Sequence, residues 1–244
     1  MTHIYFGDPN EDFSLNLAQT LLDNGADILE IGIPYTDPVC DGEVFQSTCR
    51  RALEEGITPR HVLNGISSIR KLGYKQKIYL TSYYGPIFKM GITEFVSMAE
   101  YAGVDGFIVP DLLLEEQGEL RKACNDSGIS LIQFATVYSS LERLKTICYA
   151  AGDFIYCISL PGVTGERGDF YKLIKLIKSI TQKKIFVGFG IKSPEDAKEI
   201  MKFGADGVIV GSAIAKMYDK NIQHPDITLS VIAAFIKSLK ESTI

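Results

Sequence analysis

The chain has 244 residues, 46% of them hydrophobic, and carries a formal charge of −5. That is enough apolar material for one sizeable core, and a single domain over residues 1–244 is expected, since no Pro- or Ser-rich linker divides it. Without a basic run, nucleic acid and anionic membrane surfaces are poor partners, and no apolar run approaches the ~18 residues of a membrane-spanning helix.

The N-terminus, MTHIYFGDPNED, has no charged segment leading into an apolar one, so no signal peptide is read there. The cysteines, Cys40, Cys49, Cys124, Cys148 and Cys157, are odd in number and form no C-x-x-C pair. They fit free or buried thiols in a reducing cytoplasm.

Along the chain one unit recurs: an amphipathic helical stretch, a small-residue stop, then a short apolar strand. NGAD precedes ILEIGI, AGVD precedes GFIVP, AAGD precedes FIYCIS and FGAD precedes GVIVG. Glycine is a common helix stop, and continuous apolar strands imply burial on both faces, as in parallel sheets. The expected strands are Ile4–Gly7, Asp27–Ile33, Lys77–Tyr83, Gly106–Pro110, Ser130–Thr136, Phe154–Ser159, Ile185–Gly190 and Gly207–Gly211. Helices are expected over Phe13–Asn24, Val44–Glu55, His61–Leu72, Thr93–Tyr101, Glu115–Asn125, Leu141–Ala150, Phe170–Ser179, Pro194–Lys202 and Ile227–Glu241. Ser193 reads as an N-cap, with Pro194 at the first helical position. Eight strands alternating with helices predict an α/β fold, a (β/α)8 TIM barrel. An open doubly wound sheet is the runner-up, but the first turn, GDPNED, is not a G-x-G-x-x-G.

In such a barrel the active site lies at the C-terminal ends of the strands. Within the second strand, Glu30 interrupts an apolar run, where a carboxylate is costly to bury unless it is paired or used. Alternation places it with Ile28 and Gly32, opposite Leu29, Ile31 and Ile33. Candidates for acid–base work are Glu30, Asp41, Asp111, Tyr83 and Tyr156. Asp37 reads equally as a turn-former beside Pro38, and Asp111 is favoured as a cap for the helix that follows it. The exits of strands seven and eight, VGFGIKSPE and VGSAIAK, carry glycines whose backbone N–H groups suit an anion, helped by a following helix N-terminus. Their bland reading is tight turns; two such exits side by side favour phosphate. The loop SLPGVTGERGD is long enough to fold over a ligand, and its Gly165 offers a third N–H.

No metal is expected: His3, His61 and His224 are far apart, and no H-x-H or H-E-x-x-H occurs. Lys77 and Lys184 sit at strand entrances, the wrong end for a Schiff base. Two carboxyls in different surroundings suit acid–base catalysis without a cofactor. With a phosphate grip, the reaction class is cleavage or isomerisation of a small phosphorylated substrate.

LEIGIPYTDPVCDG resembles the signature of the tryptophan synthase alpha subunit, roughly L-E-[LI]-G-[VI]-P-[FY]-[ST]-D-P-x-A-D-G-P. The resemblance continues through Gly7–Pro9, Gly162–Gly165, Gly188–Glu195 and Val210–Lys216, in order along the whole chain. It implies the same barrel and retro-aldol cleavage of indole-3-glycerol phosphate to indole and glyceraldehyde 3-phosphate. It further implies a beta-subunit partner that carries pyridoxal phosphate, as an alpha2beta2 tetramer, and no cofactor in this chain. By motif, Glu30 is the acid/base at indole C3 and the glycerol hydroxyl, and Asp41 holds the indole N–H. Tyr83, Tyr156, Thr164 and Phe189 line the substrate, and Gly165, Gly190, Gly211 and Ser212 bind its phosphate.

The chain departs from the family pattern in several places. The usual extra N-terminal helix is not expected, since strand one is read as starting almost at Met1. Gly85 stands for asparagine after strand three, Leu113 for proline after strand four, Glu43 for proline beside Asp41 and Leu160 for arginine; the loop after GVTG is shorter than usual, and the fifth exit, FATVYSS, lacks a proline-rich turn. These loop changes keep open a second reading, a subunit that activates its beta partner while cleaving little. A third is another phosphate-binding barrel isomerase.

Overall fold

A computed structural model describes residues 1–158, 167–188 and 190–243. Its strands are β1 (Thr2–Tyr5), β2 (Ile28–Gly32), β3 (Lys77–Thr81), β4 (Gly106–Ile108), β5 (Ser130–Leu131), β6 (Gln133–Thr136), β7 (Phe154–Ile158), β8 (Lys184–Gly188) and β9 (Gly207–Val208). Segments β5 and β6 are the two halves of the fifth expected strand, parted only at Ile132. Pairing runs in order from β1 to β5 and from β6 to β9, parallel throughout. The two runs join at the parted strand, where the Ile132 N–H donates to the Phe107 carbonyl at 2.9 Å. They join again through a parallel bridge from Thr2 to Val210, flanked by His3 N–H to Val210 carbonyl at 2.8 Å and Val210 N–H to Met1 carbonyl at 3.0 Å. Both edges of the sheet are thus consumed, and the strands ring an interior as the expected barrel requires.

Period-two alternation sorts the strand side chains into two cores. Tyr79, Ile108, Ile132, Phe154, Tyr156, Phe186 and Ile209 fill the inside. Leu29, Ile31, Leu80, Phe107, Ile155 and Val187 point outward and pack with the helices. This double burial is why the strands read as unbroken apolar runs. At the strand entrances the recurrent aspartates act as local anchors. Asp105 Oδ2 accepts the Ile78 N–H at 2.7 Å and Arg70 Nη2 at 2.6 Å. Asp206 Oδ2 accepts the Ile185 N–H at 2.9 Å; Asp27 pairs with Lys240, and Asp153 with Lys77 and Tyr79.

The expected helices form at Glu11–Asp23, Glu43–Glu54, Pro59–Lys71, Ile92–Ala102, Gly118–Asp126, Leu141–Ala150, Arg167–Ile180, Pro194–Lys202 and Leu229–Ser242. Ser193 caps its helix by accepting the Asp196 N–H at 3.3 Å, with Pro194 in the first turn. Two further helices, Tyr84–Met90 and Ser212–Asp219, were not expected, because each is short and follows its strand exit without a side-chain cap of its own. The first of them corrects the reading of Asp111. Its Oδ1 accepts the Tyr84 N–H at 2.8 Å, so it caps this earlier helix from the neighbouring strand exit. The helix that follows Asp111 begins only at Gly118, beyond a 3-10 turn at Leu114–Glu116, out of capping reach.

Candidate active site

Register determines what faces the barrel mouth. His3 pairs with Glu30 across β1 and β2, and one step further on Tyr5 pairs with Gly32 and Gly32 with Thr81. A Cβ on Gly32 would lie 2.6 Å from the Tyr5 ring. The missing side chain lets that ring lean across β2 toward the loop that carries Asp41. The apolar interior thus gives way at its upper rim to a ring of polar groups.

Glu30 is 1% exposed. Thr81 Oγ1 donates to its Oε1 at 2.6 Å, while Oε2 has no partner among the described residues. Burial pushes its pKa up to about 8; the Thr81 hydroxyl opposes the rise, the charge of Asp41 adds to it, and the N-terminal amine opposes it weakly. At neutral pH Glu30 is therefore a carboxylic acid with one oxygen that no described residue occupies.

Asp41 is held differently. Its Oδ2 accepts from the Tyr5 hydroxyl at 2.6 Å and from the Tyr83 hydroxyl at 2.8 Å. Burial raises its pKa, and both hydroxyls pull it back toward the charged form. The Tyr83 oxygen also accepts the Cys40 N–H at 3.0 Å, and its ring stacks on Tyr35 at 5.4 Å, so the loop is pinned on both sides of the carboxylate. Asp37, by contrast, is exposed and accepts from Thr36 Oγ1 at 2.6 Å; it is a turn residue.

A cavity of about 720 Å³ opens over these groups, lined by Glu30, Asp41, Tyr5, Thr81, Phe134 and Tyr156 among others. A narrower recess of about 110 Å³ adjoins it, walled by His3, Gly188, Gly190, Gly211 and Ser212. Gly190 takes φ +50°, and Gly211 lies where a Cβ would fall 2.5 Å from the Phe45 ring. Gly211 is the N-cap of the helix Ser212–Asp219, whose first N–H groups and dipole are suited to an anion. Lys216, one turn on, reaches the larger cavity.

Of the residues singled out from the sequence, Glu30, Asp41 and Tyr156 line the larger cavity, and Gly190, Gly211 and Ser212 line the recess. Tyr83 is buried behind Asp41 and holds it. Thr164, Gly165 and Phe189 lie outside the described residues. Sequence reading missed Tyr5, Thr81, His3 and Lys216. The first three share the inward parity of Glu30, but only the register between strands reveals it.

Among the described residues, no group of three or more His, Cys, Asp and Glu is placed to hold a metal, and no helix is long and apolar enough to cross a membrane. All five cysteines are free; four are buried, and Cys40 is exposed at the mouth.

A family model described as tryptophan synthase alpha chain matches residues 1–244. A tryptophan synthase alpha chain from Carboxydothermus hydrogenoformans is 38% identical over 241 residues, covering 96% of this chain and 90% of the relative. One from Antithamnion is 39% identical, with 98% and 91% covered. Among solved structures, tryptophan synthase subunit alpha from Legionella pneumophila superposes with a TM-score of 0.92 at 31% identity, covering 99% of this chain and 91% of that one. A chain of the tryptophan synthase complex from Pyrococcus furiosus gives 0.89 at 31% identity, with 98% and 95% covered.

Proposed function

The chain belongs to the tryptophan synthase alpha chain family, and we propose that its cavity cleaves indole-3-glycerol phosphate to indole and glyceraldehyde 3-phosphate by a retro-aldol reaction. The observation that carries this reading is the pair of unlike carboxyls facing one cavity. Glu30 is buried, has its pKa raised to about 8 and has no partner for Oε2 among the described residues, whereas Asp41, also raised by burial, accepts from two hydroxyls that favour its charged form.

In this reading the indole ring enters the larger cavity with its N–H toward Asp41. Glu30 gives its proton to ring C3, and the positive charge that develops on the ring nitrogen is stabilised by Asp41. The carboxylate left on Glu30 then takes the proton of the hydroxyl on the carbon next to the ring. The bond between that carbon and C3 breaks, and its electron pair returns to the ring. An aldehyde and indole leave, and Glu30 is protonated again. One carboxyl thus serves as acid and then as base. No metal or cofactor of this chain is needed for these steps.

The phosphate sits in the recess on the backbone of Gly190, Gly211 and Ser212, with Gly165 contributing a further N–H. Tyr156, Thr164 and Phe189 contact the substrate, and Tyr83 acts through Asp41. The chain works as one cytoplasmic domain over residues 1–244, docked on a beta subunit in an alpha2beta2 assembly, and the pyridoxal phosphate belongs to that partner. Exposed apolar side chains on the exit loops, Val39, Leu113 and Tyr138, give the partner a surface. The departures at Glu43, Gly85 and Leu113 leave the carboxyl pair in place, Leu160 and the loop after it lie outside the described residues, and nothing among the described residues favours a purely activating role.

A steady-state assay with indole-3-glycerol phosphate, with and without the beta subunit, tests the reading. Turnover by the native chain and its loss in Glu30→Gln are expected. No cleavage even with the partner bound would overturn it.

A further inference from the structure

His3 lies where the two compartments of the site meet. It lines both the larger cavity and the recess, and it is 7% exposed. Its ring is wedged between Tyr5 and Phe45, at 5.2 and 4.6 Å between centroids. A Cβ on Gly211 would meet the His3 Cβ at 3.1 Å, so the recess wall comes right up to it. Nδ1 lies 3.5 Å from Glu30 Oε1, longer than a good hydrogen bond. Nε2 meets no partner among the described residues. A buried ring nitrogen without a partner is costly, and native structures keep such atoms chiefly where a ligand completes them.

Resting on the lyase reading above, we propose that His3 is a substrate-binding residue whose Nε2 takes the hydroxyl on the middle carbon of the three-carbon phosphate chain. That carbon lies between the reacting carbon, at Glu30, and the phosphate, in the recess, which is where His3 stands. The choice of a hydroxyl over the phosphate follows from charge. Burial holds the His3 pKa down to about 3, so the ring is neutral and offers one donor and one acceptor. A hydroxyl can satisfy Nε2 in either tautomer, whereas a phosphate oxygen needs a donor and is already served by backbone N–H groups and a helix N-terminus. His3 therefore selects substrates that keep this hydroxyl, as a polar site rejects analogues that leave it unpaired.

The test uses two probes that cannot be cleaved, because both lack the reacting hydroxyl: 3-(indol-3-yl)propyl phosphate and its 2-hydroxypropyl counterpart. Binding is measured by calorimetry on the intact chain and on His3→Phe, which keeps the ring packing. The native chain is expected to prefer the hydroxylated probe by about tenfold. His3→Phe is expected to erase that preference while binding the plain propyl probe as the native chain does, which also shows that the variant is folded. His3→Gln, which restores a donor and an acceptor, is expected to recover part of the preference. A preference that survives in His3→Phe, an equal loss for both probes, or no preference in the native chain would overturn the role of His3. Failure of the native chain to bind either probe would overturn the lyase reading and this proposal together.

Discussion

Keeping Glu30 out of water makes the stability of the barrel depend on pH. Its carboxyl titrates near 4.5 when unperturbed and is pushed to about 8 by burial. Between those values the unfolded chain has released a proton that the folded chain still holds, so stability falls as pH rises. The contribution is full below about 4.5, is lost through about 8, and is flat above. Glu30→Gln removes the titration, so the variant should gain stability over the native chain as the buffer is moved from pH 5 to pH 8.5, read by urea unfolding; a difference that does not change with pH would sink this. The same variant should lose about 10²–10⁴ in turnover, the usual worth of a placed acid–base group. With the proton on Glu30 proposed as the one given to C3, native turnover should also decline as pH rises through about 8, which a pH–rate profile would reveal. Tyr5 makes a separate test, since it touches Asp41 with its hydroxyl at 2.6 Å. Tyr5→Phe removes one of two donors, so the Asp41 pKa should rise further. About a tenfold fall in kcat/KM is expected, deepening at acid pH where Asp41 protonates; an unchanged acid limb would argue against it.

At the scale of elements, the recurrent aspartate after each helix stop shows what a sequence discloses and what it withholds. The repeat was visible, and with it the strand count and the face that Glu30 shares with Ile28 and Gly32, because helix stops and apolar runs are local signals. The task of each aspartate was not, because its partners come from other strands and helices. Asp105 reaches the Ile78 N–H at the entrance of β3, and Arg70 as well. Asp105→Ala leaves the Ile78 N–H without its acceptor and takes the carboxylate from Arg70, whose guanidinium keeps the carbonyls of Gly103, Tyr74 and Gln76; a loss of about 1–3 kcal/mol is expected. It should lower the urea midpoint without changing the m-value; an unchanged midpoint would show that the anchor is redundant. The same limit explains the residues missed at the site. His3, Tyr5 and Thr81 converge only once β1, β2 and β3 are set in register, and Tyr5 crosses β2 only because Gly32 has no side chain. The cap that Asp111 provides for Tyr84–Met90 was misassigned for the same reason: a local rule pointed to the next helix, and the fold offered a nearer N–H at the exit of the paired strand β3.

At the scale of the whole molecule, the proposed function gives the mouth of the barrel two tasks, and its residues divide between them. Polar groups converge inward on the cavity, while several exit loops turn large apolar side chains to solvent: Val39 after β2, Leu113 after β4 and Tyr138 after β6, each more than half exposed. The loops bearing Val39 and Leu113 adjoin at the cavity wall, where Cys40 Sγ lies 3.9 Å from the Pro110 carbonyl and both residues line the cavity. A partner seated on these loops therefore rests directly on the segment that holds Asp41, so docking and the position of that carboxylate are mechanically joined. Leu113 does not line the cavity, which lets the two tasks be separated. Leu113→Glu places a charge in a surface that a partner would have to desolvate. The variant should bind the beta subunit at least about tenfold more weakly, a typical loss for an interface anchor, and should lose whatever rate gain the partner confers. Its cleavage of indole-3-glycerol phosphate in isolation should match the native chain. Titration of the beta subunit into both proteins, followed by either half-reaction, reads this out. An unchanged affinity would move the docking surface away from the β4 exit, and a fall in the isolated rate would mean that Leu113 supports the site itself.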